Sequence, residues 1–266
     1  LEGSRYYYNS LENVDKIRDD IVNTLNGDTI KVGWAKESLI PTEPVPLAGY
    51  GARKGANFEG VDDTIFVKAV VFDNEITKAA YISMDLLIVP PNLDHQKILD
   101  NLSFEVDNLY LTASHTHSSI GGYLEGLAGK IFGGEYSEDI LEFITNKTIL
   151  ALEEAYYKRE KSRIGYGRIY ASNFVTNRLV GDSIGTYDPF IRLIKINTES
   201  GNNAAIFSYA AHATCYGHKQ RDLSGDYPGR LTSMLEMTRE IDFAVYGAGA
   251  VGSMSPQTKS MEGEMR

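Results

Sequence analysis

The sequence predicts an α/β fold: a mixed β-sheet core flanked by helices, with a candidate metal site at strand ends. Three observations carry this. Short apolar runs rich in β-branched and aromatic residues recur along the chain, such as TIFVKAVVF at 64–72 and AAIFSYAAHA at 204–213. Between them lie segments with the three- and four-residue apolar spacing of amphipathic helices. Some strand pairs are joined by tight turns and others by helical segments, so antiparallel and parallel pairings mix.

Taken in order, Leu11, Val14, Ile17, Ile21 and Leu25 predict an amphipathic helix over 11–25. TIKVGWA (29–35) reads as a strand. The Pro- and Gly-rich stretch 41–60 reads as a long loop, a length that is uncommon without a function. Runs 64–72 and 77–89 flank the turn-like DNEI and predict an antiparallel hairpin. A short helix is expected at 92–102, and NLYLTAS (108–114) is apolar enough to be a central strand. The longest helix is expected at 137–160, with Ser137 as N-cap, two acids behind it, and an apolar face through Ile140, Ile144, Ala151 and Ala155. Strands follow at 162–170, 190–196 and 204–213, the last after the turn ESGN. A helix near Pro228, with Asp226 as candidate cap, and a small-residue strand at 243–250 complete the pattern.

The 266 residues allow one large domain, and 1–266 reads as a single catalytic-type domain, incomplete at its C-terminal side. The formal net charge of -10 argues against a nucleic-acid partner, which needs a basic face. No stretch approaches the roughly 20 apolar residues of a membrane span. The single cysteine, Cys215, excludes an internal disulfide and leaves the redox compartment open. The chain starts LEGSRYYYNS, without Met, and ends abruptly; it reads as a processed chain or part of a longer protein, with a removed secretion signal left open.

The segment YLTASHTHSSIGG (110–122) holds the strongest chemical signal. Residues i and i+2 of a strand point to the same face, so His115 and His117 project together at the carboxyl end of this buried strand. Two neutral imidazoles on one face suit zinc, and catalytic zinc wants a third protein ligand and an open position. His212, at the end of the apolar run SYAAHA, is the best third candidate. A histidine on an apolar face is also commonly a hydrogen-bonded core residue, and spacing leaves both readings open. His95 and His218 read as surface residues. Asp85, inside the apolar strand AYISMDLLIV, needs a buried partner; it either orients a ligating histidine or simply bonds backbone. The small-residue stretch YGAGAVGSMSPQ (246–257) surrounds Ser255 but lacks the G-x-S-x-G order of a nucleophile elbow.

Several stretches together resemble the neutral/alkaline, non-lysosomal ceramidases. LAGYGARKGANFEGVDDTIFVKAVVF is similar to that family's Gly-Tyr-Gly loop and following strand, and AYISMDLLIVP to its Asp-bearing strand. LTASHTHSSIGGY is similar to its Thr-His-Thr-His motif with the Gly-Gly-Tyr tail. NFVTNRL resembles its Asn-Arg segment, FSYAAHATCYG the strand with its third histidine, LSGDYPG its Ser-x-Asp turn, and GSMSPQ its Gly-Asp-x-Ser-Pro-Asn motif. The order is the same from about residue 30 to 260.

The resemblance implies zinc (Zn2+) held by His115, His117 and His212, a nucleophile candidate at Ser255, and a substrate-contacting arginine at Arg178. Gly121, Gly122 and Tyr123 would shape the pocket floor. It further implies hydrolysis of the amide bond of ceramide or a related N-acyl lipid, and hence a place in sphingolipid metabolism. A lipid-like substrate, peripheral membrane contact and an extracytoplasmic or secreted location go with that reading. The family's glutamate and tyrosines lie further along, beyond Arg266, so the remaining C-terminal part of the protein is an expected partner. Ser253 stands where the family has Asp and Gln257 where it has Asn, and the segment before Arg178 is short; these departures bear on the substrate more than on the metal. An activated water and the Ser255 hydroxyl both stay open as nucleophile. Arg178 either holds an oxyanion or substrate hydroxyl or makes a surface salt bridge. Two alternatives remain: a zinc-binding domain without turnover, and a hydrolase of a different amide or ester, including an unrelated serine hydrolase with a histidine base near Ser255.

Overall fold

The computed structural model describes residues 30–257; the helix expected at 11–25 lies outside them. The strands are β1 (Ile30–Ser38), β2 (Gly60–Val61), β3 (Phe66–Asp73), β4 (Lys78–Met84), β5 (Asn108–Ala113), β6 (Glu160–Tyr170), β7 (Val175–Asn177), β8 (Phe190–Thr198), β9 (Asn203–Tyr209), β10 (Asp222–Leu223), β11 (Phe243–Ala248) and β12 (Met254–Pro256). The helices are α1 (His95–Asp100), α2 (Gly126–Gly133), α3 (Glu138–Tyr157) and α4 (Asp226–Met237).

Eight strands form one sheet in the order β11-β9-β8-β6-β1-β3-β4-β5. Pairings β4–β5 and β9–β11 are parallel and the rest antiparallel, the mixed sheet that the sequence predicts. The β3–β4 hairpin forms as expected, with Asn74 Oδ1 accepting the Ile76 and Thr77 amides across the turn. Strand β5, expected to be central, lies at the sheet edge among the described residues; every second residue of its first half is exposed. Its apolar side chains face one side only, and one covered face suffices to give an apolar run.

The sheet curls until edge strand β11 meets the inner face of β3 and β4. Lys68 Nζ donates to Ala244 O at 2.9 Å, and the Ser83 hydroxyl donates to Tyr246 O. Burying these groups is tolerable because each finds a partner. Val32, Val70, Ile196, Phe243 and Val245 fill the inside of the curl. On the outer face, α3 lies across β1 and β3 so closely that a Cβ on Gly33 would sit 2.2 Å from Ala155 O. Its buried stripe is Leu141, Ile144, Thr145, Thr148, Ala151, Leu152 and Ala155, with Ile140 half-buried. Ser137 occupies the N-cap position without a side-chain cap bond, so Glu138 and Asp139 favour that terminus through the helix dipole.

The fold brings the ends of β5, β9 and β11 to one side. Loops leaving those ends carry the chemistry-bearing residues.

Candidate metal centre

Strand β5 ends at Ala113, so His115 and His117 sit in the loop beyond it rather than on its pleat. This corrects the same-face expectation. His115 adopts a left-handed backbone conformation, φ +62°, and its ring stands nearly perpendicular to that of His117, at 86°. The rings converge because the loop turns sharply, not because strand residues alternate. Strand β9 likewise ends at Tyr209, three residues before His212. All three histidines therefore lie on loops just beyond strand ends.

The three rings meet through their Nε2 atoms. His212 Nε2 lies 3.0 Å from His115 Nε2 and 2.9 Å from His117 Nε2. The ligand atoms of all three fall within 4.8 Å of one another, the only such histidine, cysteine or carboxylate group among the described residues. Each opposite nitrogen faces a backbone carbonyl: His115 Nδ1 meets Leu87 O at 2.6 Å, His117 Nδ1 meets Gly49 O at 3.1 Å, and His212 Nδ1 meets Val251 O at 3.1 Å. A carbonyl only accepts, so each Nδ1 carries the proton and each Nε2 turns a lone pair inward. Burial, reinforced by the other two rings, holds His117 down at about 3. Burial likewise brings His212 to about 4 and lowers His115, with the Arg178 charge adding to both. Neutral imidazoles with convergent lone pairs are what a transition metal requires. Four-coordinate zinc at about 2.0–2.1 Å sets its ligand nitrogens about 3.3 Å apart, and the two separations to His212 Nε2, 3.0 and 2.9 Å, lie within a few tenths of an ångström of that.

Three devices hold the loop. Thr116, fully buried between the two histidines, donates its hydroxyl to Ser224 O at 2.8 Å and accepts the Ser118 amide. Gly49, at φ +112°, lies where a Cβ would meet His117 Cα and Cβ at 2.6 Å, so only glycine lets its carbonyl reach the ring. Tyr50 covers His117 with ring centroids 4.9 Å apart and donates its hydroxyl to Tyr216 O at 2.6 Å. Sequence reasoning did not single out Gly49, Tyr50 and Arg53 as site residues; the signals were the length of the 41–60 loop and the resemblance of LAGYGARKG to the family's Gly-Tyr-Gly loop.

Arg178 and Ser255 are brought to the same side. Strand β12 pairs with β7, setting Ser255 opposite Thr176 and Met254 opposite Asn177. The Met254 carbonyl accepts the His212 amide at 3.3 Å, which ties the Ser255 strand to the third histidine. Asn177 accepts the Leu179 and Val180 amides and so builds the turn that presents Arg178. Arg178 donates Nε and Nη2 to Gly252 O at 3.1 and 2.8 Å and has no carboxylate partner among the described residues; the surface salt bridge is absent there.

Other residues fall elsewhere. Asp85 is buried, accepts the Phe66 amide at 3.0 Å and faces the Lys68 charge; backbone carbonyls, not Asp85, orient the histidines. Burial raises its carboxyl. Tyr123 is fully buried in the main core and is not a pocket floor. Gly121 and Gly122 pack the loop on the end of α2: the Gly122 amide donates to Gly133 O at 2.7 Å, and a Cβ on Gly121 would meet that same oxygen at 2.2 Å. Gly225, not Asp226, holds the N-cap position of α4, but the Asp226 carboxylate accepts the Tyr227 amide of the first turn at 2.6 Å. Asp226 is fully buried at φ +56° and accepts the Cys215 and Tyr216 amides, pinning the turn after His212. His218 stacks edge-on against Tyr50 at 6.5 Å and is not a ligand.

A profile of the neutral/alkaline non-lysosomal ceramidase N-terminal region matches residues 41–264. The chain belongs to this family. Neutral ceramidase A of Dictyostelium discoideum is 24% identical over 280 residues, covering 94% of this chain and 38% of that protein. Neutral ceramidase of Drosophila pseudoobscura pseudoobscura is 25% identical over 236 residues, covering 78% of this chain and 32% of that one. A solved ceramidase complexed with C2 shares the fold at a TM-score of 0.76 and 21% identity, over 86% of this chain and 39% of the other. Neutral ceramidase from Pseudomonas aeruginosa gives a TM-score of 0.75 at the same identity and coverage. The chain therefore spans two-fifths or less of the length of these ceramidases.

Proposed function

We propose that the complete protein is a zinc-dependent hydrolase that cleaves the amide bond of ceramide or a related N-acyl lipid. The observation that carries this is the convergence of three neutral histidines through Nε2, in a chain of the ceramidase family. His115, His117 and His212 would hold the ion, which supplies Lewis-acid polarisation of the carbonyl and activation of a water. Arg178 lies where its positive charge reaches His115 and His212, and that charge suits a developing oxyanion or a substrate hydroxyl. Ser255 stands on the strand that supports His212 and is the alternative nucleophile.

The test uses the intact protein, which supplies the sequence this chain does not span. Elemental analysis after zinc-replete expression should give one zinc per chain, and His117→Ala should lose both metal and turnover of a fluorescent short-chain ceramide. Ser255→Ala separates the nucleophiles: activity persists if water attacks and falls to background if the hydroxyl does. Under one-tenth of an equivalent of metal sinks the zinc reading. A zinc-loaded protein that cleaves neither ceramide nor matched amide and ester probes is a binding domain without turnover.

A further inference from the structure

Arg53 is a buried cation, 4% exposed, that enters no ion pair among the described residues. Its guanidinium bonds main chain instead. Nη1 donates to Ala48 O at 2.9 Å and to His117 O at 2.5 Å. Nη2 donates to Gln220 O at 2.9 Å and Ser118 Oγ at 3.3 Å, and Nε donates to His218 O at 3.3 Å. The Tyr50 ring lies 4.8 Å from the guanidinium carbon. Three segments distant in sequence thus meet on one planar group. A charge this deep is tolerated because carbonyl dipoles from several directions replace its water.

Two of those contacts bear on one histidine. Arg53 holds the carbonyl of His117 itself, and it holds Ala48, the neighbour of Gly49, whose carbonyl orients the His117 ring. The other two rings are oriented by Leu87 O and Val251 O, which Arg53 does not touch. We propose that Arg53 is a positioning residue for His117, locking the ring and its carbonyl acceptor into one register so that Nε2 faces His212. The proposal rests on the metal-centre reading of the trio. A lysine offers one ammonium where the fork serves several carbonyls in a plane, so Arg53→Lys is not conservative here.

The experiment compares the intact wild type with Arg53→Lys and Arg53→Met. Histidine-selective nitrogen NMR of the metal-free proteins reads the tautomer of each ring, and competition with a chromophoric chelator reads zinc affinity. Expected is a selective change: the His117 ring loses its single Nδ1–H tautomer, His115 and His212 keep theirs, and zinc affinity falls about 10–100-fold. Arg53→Lys keeps the charge and carries the test if Arg53→Met does not fold. A His117 ring signal like the wild type's, with affinity within twofold, overturns the proposal. Equal disturbance of all three rings also overturns it, because Arg53 is then a general support of the loops. If the wild type binds no zinc yet His117 alone loses its tautomer, the metal reading fails and the positioning role stands.

Discussion

Replacing Gly49 with alanine should pull His117 out of the histidine trio, and with it the proposed zinc binding, while leaving the fold in place. The added Cβ would lie 2.6 Å from both Cα and Cβ of His117 and 2.8 Å from its carbonyl oxygen. Ordinary contact begins near 3.4 Å, so the two chain segments must part by roughly 0.8 Å. Metal ligation tolerates only about 0.2 Å. His117 would then leave the coordination distance, and its Nδ1 would lose the Gly49 carbonyl. The expected loss in zinc affinity is at least about 100-fold, or ~2.7 kcal/mol. The metal-free protein should also lose about 2–5 kcal/mol, because alanine at φ +112° is strained and the contact is overpacked. Chelator competition measures the first quantity and urea unfolding of the apo protein the second. A Gly49→Ala protein that binds zinc within threefold of wild type, with unchanged stability, would refute the close approach on which the loop geometry depends.

Two further outcomes follow from burial. Asp85→Asn should leave zinc affinity within about threefold, since backbone carbonyls orient the histidines, but should cost about 1–3 kcal/mol in urea unfolding as Lys68 loses its facing charge; a tenfold fall in affinity would contradict this. Burial, followed by the Asp226 carboxylate, pushes the Cys215 thiol up to about 12, so its alkylation at pH 9 should be at least ~100-fold slower in the native protein than in urea; equal rates would show that the turn after His212 opens freely.

Local pattern made the sheet legible where a strand's own side chains decide it. The β3–β4 hairpin and the strands β6, β8, β9 and β11 follow from apolar runs and turn residues alone. The position of β5 in the sheet does not, because a run such as NLYLTA carries no record of how many neighbours it has. The histidine trio shows the same division. Residue type singled out His115, His117 and His212, yet the pleated-strand argument for their convergence was mistaken. What turns the rings together is a left-handed residue, His115, in a loop held by partners far along the chain: Gly49 is 68 residues from His117 and Ser224 is 108 residues from Thr116. Such supports leave no local signature. A glycine or threonine in a loop has many uses, and only the approach of the second segment decides which applies. The same holds for Arg53, whose partners run from Ala48 to Gln220. Asp85 is the converse case. Its burial was legible from the apolar strand around it, but burial demands only some partner, and the Phe66 amide and Lys68 charge meet that demand without contact to a histidine ring. Chemistry-bearing residue types can therefore be read from sequence, while the backbone carbonyls that orient them become visible only once the chain has folded.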